Sequence, residues 1–298
     1  MNPIDPAAHQ AAPLRPQDFQ HEYIQAGDLK MHVVVEGPEG APLVVLLHGF
    51  PEFWYSWRHQ IRALAGSGYR VAAPDQRGYN LTEQKGPYNV FTLTRDIVNL
   101  VRALGYDRAV IVGHDWGGAI AWLLGAFHPE LVERLIVCNC PHPVTLIRAV
   151  RGLYLPQIAR SWYIAMFQVP ILPELILGAR NYEPLAALLR AALPGGISEE
   201  EIGHYREAWA RPGALSAAIN WYRDMTRSIG PLAIRDTTVR LPTRLIWGEP
   251  DLALDTRVAK WSRELCPGLD VRFIQNAGHF VQQDAPTEVN ELILEFLG

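Results

Sequence analysis

Short runs of β-branched and other apolar residues recur along the chain, separated by longer amphipathic stretches. Runs of strand length lie at Met31–Glu36, Leu43–Leu47, Tyr69–Ala73, Ala109–Val112, Leu135–Cys138, Thr243–Trp247 and Val271–Ile274. In Leu43–Leu47 and Ala109–Val112 every position is apolar, with no alternation. A strand reads this way when helices cover both faces of its sheet. The pattern therefore predicts an α/β fold with a mostly parallel central sheet and helices on both faces. Helical periodicity fits Phe91–Leu104, Gly118–Phe127 and Thr287–Leu297, with Thr92 the expected cap of the first, followed by Arg95 and Asp96.

Between Pro141 and about Pro231 this rhythm changes. No strand-like run appears, and Trp, Tyr, Leu and Pro recur among helix-like pieces such as Glu183–Leu193 and Glu199–Trp209. Breaks at Pro156, Pro170, Pro173, Pro194 and Pro212 suit several short helices. The expected organisation is a flexible arm over residues 1–18, a core domain over 19–140 and 232–298, and an inserted helical cap over 141–231.

Composition narrows the class of protein. The chain has 298 residues, 49% hydrophobic and 19% charged, enough for one large core with an insertion. A formal net charge of −4, with no long block of like charge, favours neither nucleic acid nor an anionic membrane as a partner. Runs such as Leu43–Leu47 fall far short of the roughly 20 residues a membrane span needs, so no stable insertion is expected. Met1 to Gln20 is Pro- and Ala-rich and lacks the apolar centre of a secretory signal. Of the three cysteines, Cys138 and Cys140 sit two apart in an apolar run, and Cys266 is too distant to complete a metal cluster. These features suit a cytoplasmic protein, monomer or homodimer, with no metal and no cofactor.

The candidate chemistry starts at Gly113-His114-Asp115-Trp116-Gly117-Gly118, directly after one expected strand and before a helix. A sharp strand-to-helix turn needs small residues around its central side chain, and the glycines supply them. This is the pattern of a nucleophile elbow, with Asp115 where a serine hydrolase has serine; by itself Asp115 would equally suit a helix cap. His48-Gly49-Phe50-Pro51 follows another strand, so the backbone N–H groups of Phe50 and Trp116 can converge as an oxyanion hole. Asp251 lies in Trp247-Gly248-Glu249-Pro250-Asp251, and His279 lies in Gly278-His279-Phe280 after the last strand. The order nucleophile, acid, histidine follows, with Glu249 the alternative acid. His59, His114, His128, His142 and Trp122 read as packing or surface residues.

From about Phe19 onward the chain resembles the epoxide hydrolases of the α/β-hydrolase superfamily. The resemblance implies that two cap tyrosines hold the epoxide oxygen: Tyr222 in Asn220-Trp221-Tyr222-Arg223, and Tyr163 in Trp162-Tyr163-Ile164-Ala165-Met166-Phe167-Gln168, with Tyr154 the alternative to the latter. It further implies a hydrophobic epoxide as substrate, bound by Phe50, Trp116, Tyr163 and Tyr222. Asp115 would form a covalent alkyl ester, and water activated by His279 with Asp251 would hydrolyse it to a vicinal diol. Asp75-Gln76-Arg77-Gly78-Tyr79-Asn80 is similar to a structural turn of the superfamily, with Asn80 where glycine is frequent. Haloalkane dehalogenases share the Asp nucleophile, but Phe50 offers a halide only its backbone. A ligand-binding protein that keeps the scaffold without turnover is the third possibility.

Overall fold

The apolar runs assemble into one sheet. Its strands are β1 (His21–Ala26), β2 (Leu29–Glu36), β3 (Leu43–Leu47), β4 (Arg70–Pro74), β5 (Ala109–His114), β6 (Val132–Cys138), β7 (Thr243–Glu249) and β8 (Asp270–Gln275). They lie in the order β1-β2-β4-β3-β5-β6-β7-β8. β1 pairs antiparallel with β2 and β2 with β4; the remaining pairs are parallel. This computed structural model describes residues 14–229, 232 and 235–298.

β3 and β5 are buried at every position, as their unbroken apolar character requires. Helices α1 (Arg58–Gly66), α2 (Val90–Ala103), α3 (Asp115–Phe127), α10 (Thr256–Trp261), α11 (Val281–Asp284) and α12 (Pro286–Leu297) connect or cover the strands. Between β6 and β7, no strand occurs among the described residues, and six helices follow one another: α4 (Pro143–Arg151), α5 (Leu155–Arg160), α6 (Trp162–Phe167), α7 (Leu172–Ala192), α8 (Glu199–Trp209) and α9 (Ala214–Ile229). α7 breaks where Arg180, Asn181 and Tyr182 turn to positive φ just before Pro184. Two indoles tie this insertion to the sheet loops. Trp209 donates to the Pro51 carbonyl at 2.6 Å and Trp221 to the Arg77 carbonyl at 2.9 Å.

Several local expectations change. α2 is capped by Asn89, which accepts from the Phe91 and Thr92 N–H groups at 3.1 Å each, and Thr92 is buried within the helix. α3 starts at Asp115, three residues earlier than expected, because β5 runs on to His114 and no loop separates strand from helix. β1 was not expected: it is a largely exposed edge strand without an apolar run. Most of the expected arm, residues 1–13, lies outside the described residues. Residues 14–18 are held to the core, with the Tyr55 hydroxyl donating to the Leu14 carbonyl at 2.5 Å and a short turn at Pro16–Asp18.

The turn after β4 is cross-braced. Arg77 grips Asp96 on α2 through two bonds of 2.6 and 2.7 Å, and Asn80 takes a φ of 42° while donating to Asp75 at 2.8 Å. Asn tolerates this left-handed conformation, so glycine is not required there.

Candidate active site

Asp115 stands at the abrupt change from β5 to α3, with a strained φ of 50°. Its neighbours must be small. A Cβ on Gly117 would strike the carbonyls of Leu47 and His48, and one on Gly49 would strike the Asp115 side chain. The Phe50 N–H donates to Asp115 Oδ1 at 2.9 Å. Trp116, in the first turn of α3, has a backbone N–H that no helical carbonyl reaches. Asp115 Oδ2 accepts no hydrogen bond among the described residues and faces His279 Nε2 at 3.7 Å, an ion-pair separation.

On the other side of the ring, His279 Nδ1 lies 2.7 Å from Asp251 Oδ2. Asp251 is fully satisfied: Oδ1 accepts from the Ala253 and Leu254 N–H groups at 2.7 and 2.9 Å, and Oδ2 also accepts from Asn139 Nδ2 at 2.8 Å. Glu249 is not brought to His279; it accepts from Gln275 at 2.9 Å near the surface.

These contacts set the charges. Burial by itself would lower His279, but the Asp251 charge, followed by contact with Asp115, outweighs it and raises the imidazole from 6.5 to about 10. Burial would raise Asp115, yet the His279 contact, the charge of His114 and the Phe50 N–H hold it below the ordinary carboxylate value. Asp251 is likewise lowered against burial, by His279 first and then by Asn139 and Leu254. The resting site is thus an imidazolium between two carboxylates.

Sequence reading had left His114 and Glu52 out of the site. His114 is wholly buried, with Nδ1 2.8 Å from Glu52 Oε2 and Nε2 2.9 Å from the His279 carbonyl oxygen. The ring is thus held at both nitrogens, by the Glu52 carboxylate and by the His279 backbone. Glu52 also accepts from Gln282 at 3.0 Å and Gln283 at 2.7 Å. This buried chain fixes the backbone that carries His279. Asn139, with a φ of 39°, is a second unanticipated support, bonding both Asp251 and the Gly248 backbone. His142 is buried as the cap of α4, Trp122 donates to the Cys140 carbonyl, and His59 and His128 are partly exposed.

Above Asp115 opens a cavity of about 570 Å³ whose lining includes Asp115, Trp116, Tyr163, Tyr222, Leu146 and Leu254. Most of its surface is apolar. Trp221, anchored to Arg77, directs its neighbour Tyr222 onto Trp116, with ring centroids 4.9 Å apart. Tyr163, on α6, meets Tyr222 at 5.9 Å. Burial first, and then the Asp115 charge, pushes the Tyr163 phenol up; burial, then Tyr163 and Asp115, does the same to Tyr222. Both remain neutral hydroxyl donors. Tyr154 is elsewhere, donating to Asp255 at 3.2 Å and meeting Trp261 edge to face. The Phe50 ring packs on Phe167 and Tyr222 at 5.5 and 5.3 Å and does not line the large cavity, so only its N–H faces Asp115. Among the described residues no three His, Cys, Asp or Glu side chains gather as a metal site.

Such a site can attack carbon with a carboxylate, donate to a developing oxyanion from two phenols, and deliver water from a histidine. A model of the alpha/beta hydrolase fold matches residues 42–286. The AB hydrolase superfamily protein YfhM of Bacillus subtilis is 42% identical over 93% of this chain and 97% of its own length. Epoxide hydrolase 3 of Xenopus tropicalis is 37% identical over 93% of this chain and 78% of its own. Among solved structures, a Bacillus megaterium epoxide hydrolase in complex with an inhibitor superposes with a TM-score of 0.83 at 27% identity, covering 93% of this chain and 99% of that one.

Proposed function

The chain belongs to the α/β-hydrolase family, and within it we propose that the protein is an epoxide hydrolase working through an alkyl ester on Asp115. The observation that carries this reading is the placement of Tyr163 and Tyr222 in the same apolar cavity as Asp115. A carboxylate is ionised without a general base, and two neutral phenols suit the oxygen of an opening ring.

In the first step Asp115 Oδ2 bonds to a ring carbon as the carbon–oxygen bond breaks. The electron pair goes to the ring oxygen, which takes a proton from a tyrosine. Esterification removes one of the two negative charges that hold the His279 proton. The proton affinity of His279 falls, and its proton restores the tyrosine. Neutral His279 then takes a proton from water as the hydroxide oxygen bonds to the ester carbon. Negative charge gathers on Oδ1, where the Phe50 N–H already points. The ester breaks, the departing alkoxide takes the proton from His279, and the diol leaves. The new acid on Asp115 returns its proton to His279, which recovers the resting site. Asp251 orients the ring and balances its charge throughout.

Helices α4 to α9 act as the cap in this reading, with α6 and α9 carrying the two tyrosines over the carboxylate. One observation favours a haloalkane as substrate: Trp116 Nε1 is buried beside the cavity with no hydrogen-bond partner among the described residues. A departing halide needs more than one such donor, and Phe50 supplies no side-chain N–H. Multiple turnover with styrene oxide tests the choice. Diol formation is expected. Stoichiometric binding without product would overturn catalysis, and bromide release from a bromoalkane without epoxide turnover would establish the dehalogenase.

A further inference from the structure

Large hydrophobic side chains are unevenly exposed on this molecule. Of the 13 that stand exposed among the described residues, nine fall within residues 150–176. Leu153, Leu155, Trp162, Ile171 and Leu175 are each at least 66% exposed. They follow one another from the turn after α4 through α5 and α6 into α7, consecutive helices that pack on one another. An apolar surface of this kind is a docking surface, since isolated soluble proteins seldom leave so many large side chains together in water.

Charge selects the occupant. From Pro141 to Arg180 the sequence holds four arginines (Arg148, Arg151, Arg160, Arg180) and one acid, Glu174, in a chain whose formal net charge is −4. Arg148 meets Glu264 and Arg160 meets Asp255, each at 3.2 Å, while Arg151 and Arg180 have no acidic partner among the described residues. A second copy docked by a two-fold axis would place this basic surface against itself. A surface rich in anionic headgroups is complementary to it, and exposed Trp and Leu beside arginine is the composition of an interfacial anchor. The mouth of the large cavity adjoins the same surface, because Val150, Arg151 and Trp162 also line that cavity.

We infer that α4 to α7 dock the protein, peripherally and reversibly, on an anionic phospholipid surface, with the cavity opening toward the lipid. Apolar substrates dissolved in the bilayer then enter without crossing water. Among the described residues no helix is long and apolar enough to cross a membrane, so the contact is an interfacial one. The surface would not be visible in the net charge of the whole chain, which the acidic remainder dominates.

Co-sedimentation with vesicles tests this without any epoxide, and so independently of the proposed catalysis. Wild type is expected to bind vesicles of phosphatidylcholine mixed with phosphatidylglycerol, to bind phosphatidylcholine alone far less, and to be released by salt. Leu155→Glu combined with Leu175→Glu should weaken vesicle binding by about tenfold or more, leaving turnover in vesicle-free solution unchanged. Equal binding to both vesicle types, or none to either, overturns the inference. So does a wild-type dimer that this double variant converts to monomer, which would make the surface a self-contact. Should the double variant fail to fold, the lipid and salt dependence of the wild type still decides the matter.

Discussion

Nε2 of His279 stands 3.7 Å from Oδ2 of Asp115, too far for a hydrogen bond and close enough for each to hold the other's charge. Under the proposed mechanism, that spacing leaves the carboxylate oxygen free to attack while keeping the imidazole beside the carbon that water must later reach. In the proposed mechanism it also links the two half-reactions, since consuming the charge of Asp115 would change the basicity of His279.

The tyrosines should act on the first half-reaction. Tyr222→Phe and Tyr163→Phe are each expected to slow ester formation by about 100-fold, within the usual range for a positioned acid. Tyr154→Phe, which loses a bond to Asp255 away from the cavity, should stay within about twofold of wild type. Single-turnover kinetics with styrene oxide separates the three. A Tyr154 variant as impaired as Tyr163→Phe would reassign the second donor.

Stability should fall in alkaline solution. Folding raises His279 from 6.5 to about 10, so the folded state binds its proton more tightly than the unfolded chain does. That stabilisation is complete below about pH 6.5 and is lost as the pH climbs through about 10. Thermal melts across this window are expected to show a steeper decline for wild type than for His279→Gln. Parallel declines would mean that His279 is not charged in the resting protein.

Glu52 should matter to the fold more than to ester chemistry. Replacing it by alanine strips an acceptor from His114, Gln282 and Gln283 at once, leaving buried donors unpaired. A loss of about 3 kcal/mol is expected in denaturant unfolding. Glu52→Gln, which keeps an acceptor oxygen, should recover part of it. If Glu52→Ala melts like wild type, the chain through His114 does not brace the His279 backbone.

Much of this arrangement is legible in the sequence because its signals are local. The unbroken apolar runs of β3 and β5 announce a covered sheet, and Gly113, Gly117 and Gly118 around Asp115 announce a tight strand-to-helix turn. β1 is not legible, since an exposed edge strand needs no apolar pattern. The supports of the site are hidden for another reason. Glu52 and His114 are 62 positions apart and Asn139 and Asp251 are 112 apart, and each residue alone looks like an ordinary loop polar group. Only the folded sheet brings them together. The Thr92 cap was lost to Asn89 because both residue types cap helices well, and the backbone between them decides.

The covalent ester on Asp115 is tested most directly by intact mass of His279→Gln mixed with an epoxide. Removing the imidazole should stall hydrolysis and leave alkylation running, so the protein is expected to gain the mass of the whole substrate, on the peptide that contains Asp115. Absence of any adduct, while wild type turns the same epoxide into diol, would contradict the ester mechanism.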